Sequence, residues 1–494
     1  MAVNTWDGAS DTNWNDAANW NTTGVTDRVP TNADDVIIAN VSNDPVIPDG
    51  LNPEVKTIEL AASATLTCGN NTITVNNETS QYAFKGIGTL IPQTSTIEVT
   101  TDADTLIKCE NGSFNNLTIN PDGGDDTITL YSAITVGGTL TITGGTLDTN
   151  SSSNYALTVT GQCFVTGTLT GNASAISVGN MKLADGSTLT SAGTLSVVGP
   201  HDAGWLWYNA ETDGTAFAPS AGTVHFNHGS NLNGKHIQES KFFNLSITGG
   251  DSGDDLTWRD ATGNLLTIGG DLAVTNAQFQ RNTISDTLTV TGDVTLATTA
   301  ILGGNSAASG ANNFGSLTIA DGTTYNATSG TTTITSHASN WTLKNEETDG
   351  TGYVHNNGTL AIETNASGLR MDHGGSELNN LKIGKASGAD DCWVSYQTGL
   401  VILGNLDLLY HGNFTMYGNS NTIVVHGNTS IAASGLFGKT TSTGASTFHG
   451  LVTNNGTFRT GANMTFNAGV RTLGTFTSDD TLTIGGTGGI LEGN

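Results

Sequence analysis

One phrase occurs three times along this chain and limits what it can fold into. It reads Phe114-Asn115-Asn116-Leu117-Thr118-Ile119, then Phe243-Asn244-Leu245-Ser246-Ile247, then Leu378-Asn379-Asn380-Leu381-Lys382-Ile383. A glycine-rich turn with an acidic pair follows each copy: Asp125-Asp126, Asp254-Asp255 and Asp390-Asp391. Next comes apolar-x-apolar-x-Gly-x-apolar-x-apolar, as in Ile134-Thr135-Val136-Gly137-Gly138-Thr139-Leu140-Thr141-Ile142. Its glycine returns at a nearly constant interval as Gly138, Gly270 and Gly404, and each is echoed one short step later at Gly161, Gly292 and Gly427. A second marker keeps the same long interval: Trp205 and Glu211-Thr212-Asp213-Gly214 return as Trp341 and Glu347-Thr348-Asp349-Gly350. Such self-similarity is the signature of a repeat architecture.

The inner period has a direct physical reading. Alternating aliphatic and Thr, Ser or Asn residues send one set of side chains to one face of a strand and the other set outward. The intervening glycine supplies a positive φ or a close backbone approach at a corner. Threonine suits the outer face because it is β-branched yet polar. Strand, corner, strand, corner over about 22 residues makes one coil, and coils stack by backbone hydrogen bonds. The fold predicted is all-β, a right-handed parallel β-helix of about 18 to 20 coils. Charged residues are only 12% of the chain and no stretch has the amphipathic helical period. A β-sandwich array is the competing architecture, but the rhythm runs on without proline-rich breaks between domains. The expected divisions are an irregular tryptophan-rich N-terminal cap over 1–55, which holds Trp6, Trp14, Trp20 and four prolines. Three solenoid repeats follow over 56–200, 201–336 and 337–494, the last including the C-terminal coils.

The formal net charge is −28, from 44 acidic and 16 basic residues. That opposes nucleic acid, whose phosphates need a basic footprint. It fits solubility, saline surroundings or cation binding. Cys68, Cys109, Cys163 and Cys392 are widely spaced, neither a disulfide framework nor a zinc motif. The opening Met1-Ala2-Val3-Asn4-Thr5-Trp6 has no basic n-region or apolar core, so no signal peptide is expected. No apolar run reaches the length of a membrane span, so no membrane insertion is expected.

Several residues are candidates for chemistry, each with a plainer role. Asp125, Asp126, Asp254, Asp255, Asp390 and Asp391 sit in tight loops that would suit Ca²⁺, the one cofactor considered, although aspartate also favours turns for its own backbone geometry. Trp205, Trp207, Trp341 and Trp393 offer flat faces for glycan or partner contact, or fill corners. His225, His228 and His236 cluster without a metal-site spacing. Glu346, Glu347 and Asp349 form the densest acidic group, yet two of them have counterparts in the preceding repeat at Glu211 and Asp213. Carboxylates that return with the repeat point to structure, since catalysis needs a single constellation. No catalytic residues and no enzyme activity are expected.

The opening Trp6-Asp7-Gly8, Trp14, Asn19-Trp20, Val29-Pro30 and Asp34-Asp35-Val36-Ile37-Ile38 resembles that of many Gly/Thr/Asn-rich β-helical surface proteins. The Phe-Asn-Asn-Leu-Thr-Ile phrase and its coils are similar to repeats of bacterial surface adhesins and of aquatic bacteriophage virion proteins. The resemblance spans most of the chain and implies architecture before activity. Adhesins of this kind are exported, whereas virion proteins assemble in the host cytoplasm, which favours the virion. It implies a non-enzymatic structural or adhesive rod: a fibre, spike or capsid decoration, homo-oligomeric, with other virion or surface proteins and cell-surface glycan as partners. The alternatives are an extracellular adhesin or sheath filament at the cell surface, and a polysaccharide-degrading tailspike.

Overall fold

The computed structural model describes residues 2–493 apart from 79–80, 122–123, 200–203, 211–215, 218, 228–233, 240, 252, 260–264, 304–307, 386–391, 397–398, 417–420, 440–443, 461–462, 479–481 and 486–490. The chain forms a parallel β-solenoid of about 16 turns, with 53% of it in strands. Among the described residues there is no α-helix, only a 3-10 turn at Ala17–Asn19. The solenoid has fewer turns than the roughly 18 to 20 coils expected, and the step between paired rungs is not constant. It is short where Thr457 pairs with Thr475, longer where Leu140 pairs with Cys163, and longer again where Thr331 pairs with Thr359. Longer corner loops absorb the difference. The chain separates into two compact units, Met1–His228 with His236–Phe243, and Gly229–Lys235 with Asn244–Asn494. The boundary between them falls inside the second expected repeat, 201–336.

In the first unit the alternation stacks into columns. Leu117, Leu140, Cys163 and Met181 pair in succession and all point into the bore, fully buried. Their chain neighbours Thr118, Thr141, Phe164 and Lys182 form the adjacent column on the outer face. Each rung thus gains roughly 1.5–3 kcal/mol per buried aliphatic side chain while its backbone is paired above and below.

Rung pairing begins well inside the expected 1–55 cap. Ala2–Trp6 lies parallel to Asp34–Ile38, and Trp20–Thr22 closes that edge antiparallel to Ala2–Trp6. An antiparallel strand there breaks the parallel template that further strands would need. The tryptophans expected in the cap core are there: Trp6, Trp14 and Trp20 are buried, with ring centroids 5.0 and 4.7 Å apart, edge to face. Trp6 donates its indole N–H to Asn43 O (2.7 Å) and Trp20 to Trp14 O (2.8 Å). Asn19 ties the loop together, accepting from the Ser10 and Asp11 amides at 2.8 Å each. Gly8 has φ +58°, and a Cβ there would lie 2.6 Å from Asn43 O, which explains the glycine of Trp6-Asp7-Gly8.

The repeated glycines have a different origin from one of the two foreseen. Gly138, Gly161, Gly270, Gly292, Gly404 and Gly427 are not among the residues of positive φ. They stack on one another. The Gly161 amide donates to Gly138 O (3.0 Å), Gly292 to Gly270 O (2.9 Å) and Gly427 to Gly404 O (2.8 Å). A Cβ on Gly161 would sit 2.4 Å from Gly138 O, so the corner is closed to side chains by the rung beside it.

Beside the glycine column runs a column of side-chain carbonyls. Asn380 Oδ1 accepts from the Asn405 amide (2.9 Å), Asn405 Oδ1 from Asn428 (2.9 Å), and Asn428 Oδ1 from Leu451 (3.0 Å). In the preceding repeat Asp271 does the same for Asp293 (2.8 Å). Asn405→Ala is therefore expected to cost about 1 kcal/mol in urea unfolding. Asn405→Asp should be near neutral, because Asp271 already fills this role.

The second unit keeps the same construction. Leu245, Leu272, Val294, Leu317, Leu343 and Met371 form one inward column. Near the C-terminus each turn has three short strands, such as Leu400–Ile402, Leu406–Leu408 and Gly412–Met416. Phenylalanines replace aliphatics there: Phe437 stacks on Phe458 at 4.7 Å, and Phe448 on Phe466 at 5.2 Å. In-register rungs bring identical rings into offset stacking one coil apart.

Candidate binding faces

Trp205 and Trp207 lie two apart on the strand Trp205–Asn209, a spacing that would put both on one face. The structure sends them to opposite faces. Trp205 pairs with His236 and Trp207 with the very next residue, Ile237, so an extra residue is accommodated at Leu206. Trp207 turns into the bore, packs against Phe217 (5.0 Å) and Phe242 (5.8 Å), and donates its indole N–H to the buried Glu239 carboxylate at 3.0 Å. Asn209 donates to the same oxygen at 3.0 Å. Trp207 is thus a core residue, and the expected glycan contact does not reach its ring.

Trp205 remains on the outer face, edge to face with Tyr208 (5.5 Å) and with His236 (5.4 Å). Lys182, one rung away, lies over Phe164 (5.0 Å) and Tyr208 (6.0 Å). Phe164, Lys182, Tyr208, Trp205 and His236 make a strip of flat faces and one ammonium. Trp341 in the second unit repeats the device. The register shifts between Trp341 and Leu343, and the Arg370 guanidinium sits 5.8 Å from the Trp341 ring. Trp393 lies on the strand Cys392–Tyr396, opposite Asn413, and its side chain is outside the described residues.

Asp254 is buried and its carboxylate accepts from the Gly250 (2.6 Å) and Asp251 (3.3 Å) amides, holding its own turn. Asp255 accepts from the Gly234 amide (2.5 Å) and from Gln280 (3.0 Å). Asp125 is exposed; slight burial and the carboxylates of Asp125, Asp104 and Asp102 raise the pKa of Asp126. Asp390 and Asp391 lie outside the described residues. Among the described residues no group of three or more His, Cys, Asp and Glu is placed to hold a metal ion.

The dense acidic group is similarly engaged. Glu346 pairs with Lys344, and Glu347 accepts from the Gly322 amide at 2.5 Å. The Thr351 hydroxyl and amide lower the pKa of Asp349. His225 and His236 lie in separate columns, opposite Ser196 and Trp205, and burial lowers the pKa of His225. His228 is outside the described residues. Cys68, Cys109 and Cys163 are buried free thiols, pushed up to about 12, 11 and 12 by burial, which leaves them inert as nucleophiles.

A further face, invisible in the repeat pattern, lies on the first unit. A groove of about 460 Å³ is lined by Asp35, Lys56, Glu59, Gln81, Tyr82 and Lys85 among others. Lys85 bridges to Glu59 at 2.7 Å, and Lys108 to Glu110 at 2.8 Å. Tyr82 meets the edge of Tyr131 (5.6 Å), which in turn meets Tyr155 (6.3 Å). Tyr131 is 44% exposed. Burial and then the neighbouring Tyr131 raise the pKa of Tyr82, so the ring stays a neutral hydroxyl donor. Fixed aromatic faces beside oriented charges offer stacking and hydrogen bonds to a polyhydroxylated ligand. The three tyrosines come from three turns, and no local spacing in the sequence could have joined them.

Residues 5–104 match a family model described as a domain of unknown function (DUF8693). That segment contains the buried tryptophan cluster and the six groove residues just named. Comparison with the curated proteins and with the solved structures finds no match.

Proposed function

We propose that this chain is a non-enzymatic structural and attachment protein of a bacteriophage virion, a fibre, spike or capsid decoration assembled in the host cytoplasm. The observation that carries the reading is how the recurring acids are used. Asp254, Asp255, Glu347 and Asp349 are engaged by backbone amides and nearby side chains, and serve the coil rather than a reaction centre. Stacked ladders give a stiff support, and the outward strips around Trp205 and Trp341 are the surfaces for glycan or receptor. Partners in this reading are further copies of the chain, other virion proteins and cell-surface glycan.

Antibody labelling of purified particles under the electron microscope tests the location. Gold on particles supports the virion, and gold confined to the bacterial surface would replace it with an adhesin. The attachment role is read from binding of the chain to host cells. Trp205→Ala and Trp341→Ala together should reduce that binding about tenfold, the loss of one to two aromatic contacts. Release of oligosaccharide from host capsule by the purified chain would overturn the non-enzymatic assignment.

A further inference from the structure

The second unit places two imidazoles in register on its outer surface. His426 and His449 each follow the last residue of a strand, Ile423–Val425 and Ser446–Phe448. The backbone ladder is unbroken at this column: the His426 amide donates to Ile402 O (2.9 Å), His449 to Val425 O (2.8 Å) and Asn467 to Phe448 O (2.8 Å). Consecutive rungs therefore present the side chains of His426, His449 and Asn467 one above another. The two rings are parallel, 3° between planes, with centroids 4.8 Å apart, and both residues are exposed. The Asn467 carboxamide reaches the Nδ1 of His449 at 2.8 Å.

We propose that His426 and His449 form a two-imidazole site for a late first-row divalent cation, Cu²⁺ before Ni²⁺ or Zn²⁺. Neutral imidazole is the ligand such ions prefer, and affinity in this series peaks at copper. Metal–nitrogen bonds of about 2.0–2.1 Å place two ligand nitrogens on the order of 3 Å apart. Exposed rings one rung apart reach that separation by tilting about their own side-chain torsions, with the backbone unmoved. Water fills the remaining positions. The Asn467 amide nitrogen lies 2.8 Å from Nδ1 of His449; on metal binding a half-turn of that carboxamide would present its oxygen to Nδ1–H instead and hold the tautomer whose Nε2 carries the free lone pair. Asn467 is a positioning residue here and His426 and His449 are the ligands. Imidazole nitrogens select these ions, whereas carboxylate oxygens would select Ca²⁺ instead.

The test uses the full chain without an affinity tag. Cu²⁺ titration followed by calorimetry and by electron paramagnetic resonance should show one tight ion with two coupled imidazole nitrogens. His426→Ala or His449→Ala should each weaken binding by about tenfold or more and reduce the coupled nitrogens from two to one. Asn467→Ala should weaken it less and keep both nitrogens. His337→Ala, an exposed histidine elsewhere in the unit, should change neither reading. Circular dichroism identical to the parent checks that each variant folds. Copper binding that survives both single substitutions unchanged, or a two-nitrogen signal lost in His337→Ala, would overturn the site.

Discussion

Gly161→Val is expected to destabilise the first unit by about 3 kcal/mol or more, and Gly161→Ala by somewhat less. A Cβ at this position would lie 2.4 Å from Gly138 O and 2.9 Å from Gly138 C. Both are backbone atoms of the neighbouring rung, so no rotamer change relieves the overlap. The strain also spreads, because Gly179 packs on Gly161 O at 2.5 Å from its own virtual Cβ, and Gly199 on the Gly179 Cα at 2.6 Å. Gly137→Ala is the control: its nearest neighbour would be Phe114 O at 3.7 Å, and the change should stay within about 0.5 kcal/mol. Urea midpoints by circular dichroism measure both. Equal midpoints for the Gly161 and Gly137 variants would mean that the rungs can separate at this corner, and the stacked-glycine account would fail.

Asp34→Ala should cost about 3 kcal/mol and loosen the N-terminal edge first. The Asp34 side chain is 1% exposed and receives a two-pronged contact from Arg28, at 2.5 and 2.6 Å, with the Thr31 amide (2.9 Å) and hydroxyl (2.8 Å) alongside. Removing the carboxylate strands these donors at once. Burial alone would raise the Asp34 pKa, but the Arg28 and Thr31 hydrogen bonds outweigh it and lower the pKa from 3.8. The sign of the pH effect follows. A carboxylate depressed on folding contributes its full stability above its unfolded pKa, and that contribution disappears as pH falls through the lower folded value. The fluorescence of Trp6, Trp14 and Trp20, buried beside this strand, should therefore report edge opening at acid pH. Asp34→Asn should open the same edge near neutral pH, with less acid dependence remaining. An acid transition of the same size in Asp34→Asn would assign the effect to other carboxylates.

Both expectations rest on residues that the sequence had singled out for partly different reasons. Gly270 and its relatives stood out as corner residues, with positive φ as one of two explanations; the other, crowding by the adjacent rung, is the one the backbone shows. Asp34-Asp35 stood out within the opening phrase, but nothing in the phrase distinguished the buried carboxylate from its neighbour. Period-two alternation separated them only as far as opposite faces, and Arg28, a little earlier in the chain, selects the inner one.

What could be read directly from the chain was the all-β class, the inside-outside assignment of Leu117, Ile119, Leu140 and Ile142, the corner glycines and the burial of the three cap tryptophans. Each is a local property, carried by alternation along a strand or by a residue type with one plausible use. What stacks on what came from the coordinates. The step from rung to rung decides which side chains become neighbours. It ranges from the short one between Thr457 and Thr475 to the long one between Thr331 and Thr359, and it is set by loop lengths that alternation does not encode. The same holds for the bulge at Leu206 that separates Trp205 from Trp207, the Tyr82–Tyr131–Tyr155 strip and the parallel pair His426 and His449. A strand's pattern chooses a face, and only the packing of one turn on the next chooses its partner.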